Sequence, residues 1–277
     1  MRILEGKAET SLEQLIKTVI LGIIQGLTEW LPISSTGHLK VAEHFLNFGT
    51  QNYLLFDFIL HIGTLIVVLF FFRREIGNML EALSRLDFKT EHGKLIPPVI
   101  VGTIPAAVIG ILLKETVEQT FTNFLSIAVV FIVFGFILYS AKFGMEKTDN
   151  INYSAAIIIG VAEGLAILPG FSRSGATITV ALLLGIKREK AFQFSFLLSI
   201  PAIIGAAGYS AYKDYGKLLS TGLGWSEILA GVIPAMCIGY FAIKLLWKIL
   251  CKQKLHFFAF YCWFLGAVLI MLWLSDF

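Results

Sequence analysis

Charged and hydroxyl side chains interrupt strongly apolar sequence at two places in this chain. At the first, Glu29 and His38 flank the run SSTG at residues 34–37, and at the second, Glu163 precedes the run SRSG at residues 172–175. A charge at the centre of a membrane-spanning helix costs roughly 2.5–3.5 kcal/mol on insertion scales. A purely structural arginine–glutamate pair is the alternative, but an apolar pair would join two segments with less desolvation. The pattern therefore favours a charged site at membrane depth.

The run at residues 172–175 has the features of a phosphate-binding site. It leads into a helix predicted to begin near Ala176, whose free N–H groups and positive dipole end would face an anion. Arg173 adds a planar fork that matches two phosphate oxygens. The run at 34–37 leads in the same way into a helix predicted from His38, so the two helix starts indicate one diphosphate, or a phosphate and its attacking group. The residues assigned to binding it are Gln25, Ser34, Thr36, Gly37, Ser172, Ser174 and Gly175.

Three further side chains of the first place are candidates for catalysis. A carboxylate beside a phosphate repels it unless a proton or a cation intervenes, so Glu29, which shares a helix face with Gln25, is a candidate ligand for Mg²⁺ or Ca²⁺. His38 is a candidate general acid or base. Ser35 is a candidate nucleophile, with the two neighbouring hydroxyls as alternatives. Structural roles stay open for all three, since a hydroxyl at a helix start is commonly a cap.

The composition indicates a membrane protein. Hydrophobic residues make up 57% of the 277 residues and charged residues 15%, and the mean hydropathy is +0.80. A soluble domain carries about 25% charged residues. The net charge of +3 is spread over short loops, which argues against a nucleic-acid partner.

Two apolar stretches differ from ordinary membrane spans. Residues 15–48 and 153–186 are each interrupted by proline, glycine and the polar runs, and each is predicted to be a re-entrant hairpin or a broken helix. On the span after the first hairpin, Asp57 and His61 share a face, and Asp57 is a candidate neighbour of the site. The predicted full spans, each close to the required length of about 20 apolar residues, are 53–72, 95–113, 123–141, 191–211, 226–246 and 257–274.

The two halves of the chain resemble each other. GIIQGL at 22–27 matches GVAEGL at 160–165, and the same interval relates the two polar runs; later, GTIPAAVIG at 102–110 matches GVIPAMCIG at 231–239. We predict one integral membrane domain over residues 1–277, with repeats at 15–142 and 153–274. Each repeat then holds a hairpin and three spans, and an odd number of crossings inverts the second repeat. The expected fold is an all-α polytopic membrane protein with inverted repeats whose hairpin tips meet near the midplane.

The distribution of lysine and arginine predicts the orientation. Cytoplasmic loops carry an excess of these residues. One topology places all of the basic loops inside and both termini outside, although basic residues in the N-terminal tail argue against it. The basic loops are 73–94, 142–152, 186–190 and 244–254.

Two long motifs carry a resemblance to a known family. QGLTEWLPISSTGH at 25–38 and LPGFSRSGAT at 168–177 resemble the motifs of the bacterial undecaprenyl-diphosphate phosphatases, also called bacitracin-resistance proteins, and the likeness covers nearly the whole chain. The resemblance implies removal of the terminal phosphate of a C55 polyprenyl diphosphate, which recycles the lipid carrier for cell-wall synthesis and confers bacitracin resistance. It also implies a divalent cation and a site on the outer side of the bacterial plasma membrane. The oligomeric state stays open, with a homodimer as one alternative.

The resemblance also implies roles for individual residues. Glu29 and His38 are expected to be catalytic, Ser35 to be the candidate nucleophile and Arg173 the phosphate clamp, with support from Ser172 and Thr177. Gln25 stands where many members carry glutamate, which leaves a single carboxylate in the first motif. That departure argues against a metal site built from two carboxylates of this motif.

A transporter is the alternative function. Inverted repeats with broken helices are common in transporters, so the chain could flip a polyprenyl phosphate across the membrane. A transporter needs Arg173 and a cavity, but it has no use for a nucleophile or a general acid such as His38. The hydroxyl run and His38 therefore favour an enzyme.

Overall fold

The computed structural model describes residues 2–48, 53–213 and 223–275, and these ranges consist of α-helices, short 3₁₀ turns, the loops between them and one isolated bridge between Thr148 and Ile186. The all-α prediction is confirmed. The helices are α1 (Arg2–Trp30), α2 (Ser35–Phe45), α3 (Tyr53–Phe71), α4 (Arg73–Ser84), α5 (Ile96–Thr120), α6 (Phe124–Ser140), α7 (Tyr153–Leu165), α8 (Arg173–Leu183), α9 (Arg188–Lys213), α10 (Trp225–Cys251) and α11 (Phe258–Leu274).

Helices of membrane-spanning length and apolarity occur where the sequence predicts spans. Within the described ranges, α5, α6, α9, α10 and α11, with the short turns that adjoin three of them, are long and apolar enough to cross a membrane. A sixth span is added if α3 and α4, which meet at an angle of 76°, are counted as one bent span. The chain is therefore a multi-pass membrane protein.

Both interrupted stretches form pairs of helices joined by a turn. The first pair is α1 and α2, and the second is α7 and α8. α1 also extends back to Arg2, well before the predicted start at residue 15, and an ion pair between Glu13 and Lys17 at 2.5 Å lies on this added segment. The turns lie at residues 31–34 and 166–172. We call each turn together with the helix ends beside it a tip: the first tip is residues 29–38 and the second is residues 163–177.

The helices that follow the two turns begin earlier than the sequence predicts. α2 begins at Ser35 and α8 at Arg173, each three residues before the expected start. The cause is capping, because the hydroxyls of Ser34 and Ser172 each accept a backbone N–H three residues later, at 3.4 Å. As a result, Ser35 and Arg173 are the first residues of their helices and stand at corresponding positions on the two tips.

Close helix contacts occur twice in equivalent form. α1 packs along α10, where a Cβ atom added to Gly22 would overlap the backbone of Gly231. α7 packs along α5, where a Cβ atom added to Gly160 would overlap the backbone of Gly102. These four glycines lie in the four segments that the sequence repeat relates. Each close pair therefore joins a helix of residues 15–142 to a helix of residues 153–274.

Ion pairs group the loops into two ends of the helical bundle. At one end they join residues 73–94, 142–152 and 186–190, which are three of the four basic loops that the sequence places on one side. At the other end, Lys213 pairs with Glu115 at 2.6 Å. The Lys190 ammonium donates a hydrogen bond to Glu91 and holds the pKa of that carboxyl below its ordinary value. The pairs at the basic end are Lys190–Glu91 at 2.7 Å, Lys187–Asp149 at 2.7 Å and Arg188–Glu146.

Candidate functional site

The two tips are hydrogen-bonded to each other through serine side chains. The Ser34 hydroxyl accepts the N–H of Gly170 at 3.0 Å. The Ser174 hydroxyl donates to the carbonyl of the last residue of α1 at 2.9 Å, and the Ser172 hydroxyl donates to the carbonyl of Leu31 at 3.4 Å. The predicted meeting of the tips is therefore present. These three hydroxyls, which the sequence assigns to phosphate binding, are engaged in joining the tips.

The backbone at this junction adopts unusual conformations. Ser34 has a φ of 66° and Gly170 a φ of 100°. A left-handed conformation at a residue with a side chain costs on the order of 1–3 kcal/mol and persists only where the surroundings enforce it. Ser34 is held by the N–H groups of Gly170 and Gly37 together. The strained residue thus fixes the first turn of α2, which carries Ser35.

Glu29 is the centre of a buried polar cluster. Its Oε2 accepts hydrogen bonds from the Ser35 hydroxyl at 2.5 Å and from Gln25 Nε2 at 3.1 Å. Its Oε1 accepts from Arg173 Nη2 at 2.7 Å. His61 Nε2 lies 3.6 Å from Oε2. Both carboxylate oxygens are therefore occupied by donors, and the first tip and the second tip contribute to one cluster.

His61 is a member of this cluster that the sequence did not select. Its Nδ1 lies 2.7 Å from the main-chain oxygen of Asp57, so Nδ1 carries a proton. Its Nε2 then donates to Glu29 only when the ring is protonated. Asp57 and His61 share one face of α3, and that spacing could have indicated His61 as well as Asp57 as a neighbour of the site. Instead, the carboxyl of Asp57 lies next to that of Glu43.

One guanidinium nitrogen of Arg173 makes no hydrogen bond to the described residues. Its Nη2 is bonded to Glu29, and its guanidinium carbon lies 5.1 Å from the centre of the Trp30 ring. Its Nη1 is buried and has no hydrogen-bond partner among the described residues. An arginine held at one end and free at the other is suited to bind an incoming anion.

Thr177 supports the helix start that carries Arg173. Its hydroxyl donates to the main-chain oxygen of Arg173 at 2.9 Å and lies 2.5 Å from the hydroxyl of Ser195 on α9. Ser195 is a second residue that the sequence did not select. The interval that relates the two polar runs also relates FDF at 56–58 to FSF at 194–196. This match could have indicated Ser195, because it places α9 beside the second tip as α3 lies beside the first.

Glu163 differs from Glu29 in having no donor close to it. Both of its carboxylate oxygens are buried and have no hydrogen-bond partner among the described residues. Its nearest cationic group is Arg173 Nε, 4.0 Å from Oε1, which is too far for a hydrogen bond. Gln25 Oε1 is also buried without a partner in the described part of the chain.

A cavity of about 550 Å³ extends from this cluster between α5 and α9. Its polar end is lined by Glu29, Ser35, Thr36, Glu163 and Arg173. Its long wall is apolar, and beyond it the cavity reaches charged and polar residues near the end of the bundle opposite the basic loops. The wall includes Ala106, Ala107, Gly110, Ile111, Ala202, Ile203, Gly205 and Ala206, and the far end includes Lys114, Glu118 and Tyr209.

His38 does not join the cluster. Its Nδ1 contacts the main-chain oxygen of Ser34 at 2.7 Å and its Nε2 contacts the hydroxyl of Tyr261 at 2.6 Å. The ring stacks on Tyr261 and meets the edge of Phe131, and it is not part of the cavity lining. The catalytic role expected for His38 stays a prediction, while the contacts with Glu29 are made by His61.

The oxygen groups of the site suit a divalent cation that arrives with phosphate. No group of three or more histidine, cysteine, aspartate or glutamate side chains that could hold a metal ion occurs within residues 2–48, 53–213 and 223–275. Mg²⁺ is commonly held by one or two carboxylates together with substrate phosphates. Glu29 is engaged by donors in this arrangement, whereas Glu163 and Gln25 offer oxygens without partners. The residues therefore fit such a cation.

Known proteins resemble this chain over almost its whole length. The family model described as Bacitracin resistance protein BacA matches residues 18–268. A protein of Halothermothrix orenii named undecaprenyl-diphosphatase is 43% identical over 269 residues, which cover 94% of this chain and 98% of the relative. Proteins of the same name from Carboxydothermus hydrogenoformans and Methanosphaera stadtmanae are 41% and 40% identical; the matches cover 92% and 93% of this chain and 96% and 98% of those relatives.

Proposed function

Because the chain belongs to the bacitracin resistance protein BacA family, we infer that it hydrolyses undecaprenyl diphosphate to undecaprenyl phosphate and inorganic phosphate. This reaction returns the lipid carrier to cell-wall synthesis and confers resistance to bacitracin. The observation that carries the inference for this chain is the cavity, which joins an anion-binding arginine and a bonded serine–carboxylate pair to a long apolar wall. A diphosphate with a prenyl tail has the same division into a charged and an apolar part.

Ser35 and Glu29 have the geometry of a nucleophile and its base. The hydroxyl donates to the carboxylate at 2.5 Å, and the carboxylate is oriented by Arg173 and Gln25. In the first step Ser35 Oγ attacks the terminal phosphorus, its proton passes to Glu29, and the bond from that phosphorus to the bridging oxygen breaks to release undecaprenyl phosphate. In the second step water attacks the phosphoserine and frees phosphate. The alternative is direct attack by water that Glu29 deprotonates.

Arg173 binds the terminal phosphate. Its free Nη1 and the N-terminus of α8 are available to phosphate oxygens, and stacking on Trp30 limits the movement of the guanidinium. As negative charge develops on the phosphoryl oxygens, this fixed positive group stabilises the transition state. Thr177, bonded to the main chain of Arg173, keeps the helix start in place.

A divalent cation completes the site. Mg²⁺ or Ca²⁺ at the carboxylates of the tips, with Glu29 as the ligand expected from the sequence, neutralises the diphosphate when bound. Removal of the cation with EDTA is therefore expected to abolish hydrolysis, and full activity in EDTA would contradict the cation's role.

The two halves, residues 15–142 and 153–274, are inverted repeats within one membrane domain. Two equivalent glycine contacts, Gly22 with Gly231 and Gly160 with Gly102, each join a helix of one half to a helix of the other, and they support this arrangement. The basic end of the bundle faces the cytoplasm by the positive-inside rule, so both termini and the mouth of the cavity lie outside. Lys114 and Tyr209 line the far end of the cavity, near the end of the bundle opposite the basic loops, and this supports a cavity mouth on the outer side. The homodimer considered from the sequence stays a prediction.

Release of phosphate by the purified protein tests the function. The chain in detergent, given undecaprenyl diphosphate and Mg²⁺ or Ca²⁺, is expected to liberate inorganic phosphate. A flippase would transfer lipid between leaflets in vesicles but release no phosphate in detergent, where there is no second compartment. The absence of phosphate release from folded, monodisperse protein with either cation would contradict the enzymatic function.

A further inference from the structure

We propose that Glu163 is a ligand of the divalent cation, and that the cation binds at Glu163 together with the diphosphate head group of the substrate. This proposal rests on the hydrolysis inferred above and deepens it. The cation is then held by the second tip as well as by the first, because Glu163 lies outside the first sequence motif. The proposal also explains why a protein with Gln25 in the first motif still has two carboxylates at the site.

The first argument is the state of the Glu163 carboxylate. Burying an ionised carboxylate without a donor is costly, and buried charges in proteins are paired or coordinate metals. Glu163 is 5% exposed, both of its oxygens are without a hydrogen-bond partner in the described residues, and it lines the cavity. A structural ion pair with Arg173 would place the groups in contact, but the separation is 4.0 Å and the arginine bonds to Glu29 instead.

The second argument is the electrostatic effect of substrate binding. In the described arrangement one guanidinium lies between two carboxylates, 2.7 Å from Glu29 and 4.0 Å from Glu163. When the free Nη1 of Arg173 binds a phosphate, the positive charge of the guanidinium is shared with that phosphate, and both carboxylates gain a neighbouring anion. Like charges at such distances in a buried site repel strongly. A divalent cation between the carboxylates and the diphosphate removes that repulsion.

The third argument is the number of ligands. Glu163 supplies two free oxygens and Gln25 a free amide oxygen, and hard cations take both kinds. This is too few for a cage made by the protein alone, and the described residues hold no larger ligand group. The remaining ligands must come from the phosphates and from water. Cation and diphosphate are therefore expected to tighten each other's binding, and this coupling is reciprocal.

The test measures binding rather than turnover. Mn²⁺, which is detected by electron paramagnetic resonance, is titrated into the purified protein with and without a methylene-bridged prenyl bisphosphonate that cannot be hydrolysed. For the unaltered chain, Mn²⁺ should bind weakly alone and more tightly with the analogue. Glu163→Gln should lose at least roughly tenfold of that tightening, while its metal-free binding of the analogue is unchanged or stronger because one repelling charge is gone.

A matched control and a second variant make the result specific. Glu43 is a buried glutamate next to Asp57 and outside the cavity lining, and Glu43→Gln should leave the coupling between Mn²⁺ and the analogue unchanged. Glu163→Asp keeps the carboxylate and should bind Mn²⁺ more tightly than Glu163→Gln in the presence of the analogue. Size-exclusion profiles and thermal unfolding identify variants that fail to fold. If Glu163→Gln is one of them, Glu163→Asp is compared with the unaltered chain, and its coupling should be weaker because the shorter side chain withdraws the carboxylate from the cation; unchanged coupling would contradict the proposal.

Three results overturn the proposal. One is Glu163→Gln with the same coupling as the unaltered chain, and another is an equal loss in Glu43→Gln. The third is a loss of metal-free analogue binding in Glu163→Gln, which would mean that Glu163 acts by positioning Arg173. If the unaltered chain hydrolyses undecaprenyl diphosphate while any of these holds, the proposed function stands and only the metal assignment falls.

Discussion

The two tips share one backbone design but carry different chemistry. Each has a serine that caps the following helix, Ser34 and Ser172, and a glycine whose N–H that serine accepts. At the next position the first tip has Ser35 and the second has Arg173. The two tips thus agree where they form the junction and differ at the position proposed to meet substrate. The proposed nucleophile and the proposed phosphate clamp stand at equivalent positions, and both contact Glu29.

The carboxylates of the two tips show the same contrast. Glu29 on the first tip accepts hydrogen bonds from Gln25, Ser35 and Arg173, whereas Glu163 on the second has no hydrogen-bond donor among the described residues. The repeat aligns Glu163 with Gln25 and not with Glu29. A fully bonded carboxylate is suited to take a proton from Ser35, and a carboxylate with free oxygens is suited to bind a cation. The predictions below test this division of labour.

The largest expected effect is the loss of the first tip's nucleophile. Ser35→Ala should lower kcat/KM for undecaprenyl diphosphate by at least about a thousandfold, as removal of a nucleophile does in other hydrolases. Thr36→Ala removes the neighbouring hydroxyl in the cavity and should cost less than about tenfold. Steady-state phosphate release measures both. Substantial hydrolysis by Ser35→Ala would assign the attack to water activated by Glu29.

The second tip should tolerate no substitute for its arginine. Arg173→Lys keeps the charge but cannot bond to Glu29 and a phosphate at the same time, so we expect a loss of roughly a hundredfold in kcat/KM. The same assay measures it, with Arg188→Lys, at the first residue of α9 at the basic end, as a control. Near-normal turnover by Arg173→Lys would show that point charge alone is sufficient and would remove the clamp from the mechanism.

The two histidines near the first tip can be ranked. His61 contacts Glu29, whereas His38 contacts Tyr261 away from the cavity. We expect His61→Ala to lower kcat by about tenfold, a modest effect for general acid–base or orienting residues, and to exceed the effect of His38→Ala. The reverse order would support the role that the family resemblance gives to His38 and would require its ring to turn into the cavity.

The smallest expected effect concerns the apolar wall. Gly205 lines the cavity and has open space around it, so Gly205→Leu should fill the path of the prenyl chain without disturbing helix packing. Overpacking of about 1 kcal/mol would lower kcat/KM for the C55 substrate roughly fivefold and leave a C15 diphosphate less affected. Gly208, on the same helix with equally open space but outside the lining, is the control. Equal effects of both leucines would place the prenyl chain elsewhere.

The architecture was accessible from the sequence because it depends on local patterns. Long apolar runs, the breaks at proline and glycine, and the repeated motifs predict the hairpins, the spans and the meeting of the tips. The starts of α2 and α8 were predicted three residues late, because the hydroxyls of Ser34 and Ser172 were assigned to a ligand and not to capping. A serine hydroxyl can bind a ligand or cap a helix, and which of the two it does depends on contacts with the opposite tip that the local sequence does not reveal.

The site itself was accessible only in part. The sequence points to Glu29, Ser35 and Arg173, and Glu29 accepts a hydrogen bond from each of the other two. His61 was not selected, since its contact with Glu29 depends on how α3 packs against α1, and no spacing along the chain encodes that packing. For the same reason the sequence could place Glu163 near Arg173 but could not reveal that its oxygens lack donors.

The exchange of helices between the halves bears on how the protein is made. α1, which ends in the first tip, has its close partner in α10, and α10 begins only at Trp225, late in synthesis. Until α10 has been synthesised, the face of α1 around Gly22 is not yet packed against that helix and contacts the translocon or lipid instead. Full packing of α1, which carries Glu29, is then a late event, because a chain that stops before α10 lacks the helix against which α1 packs.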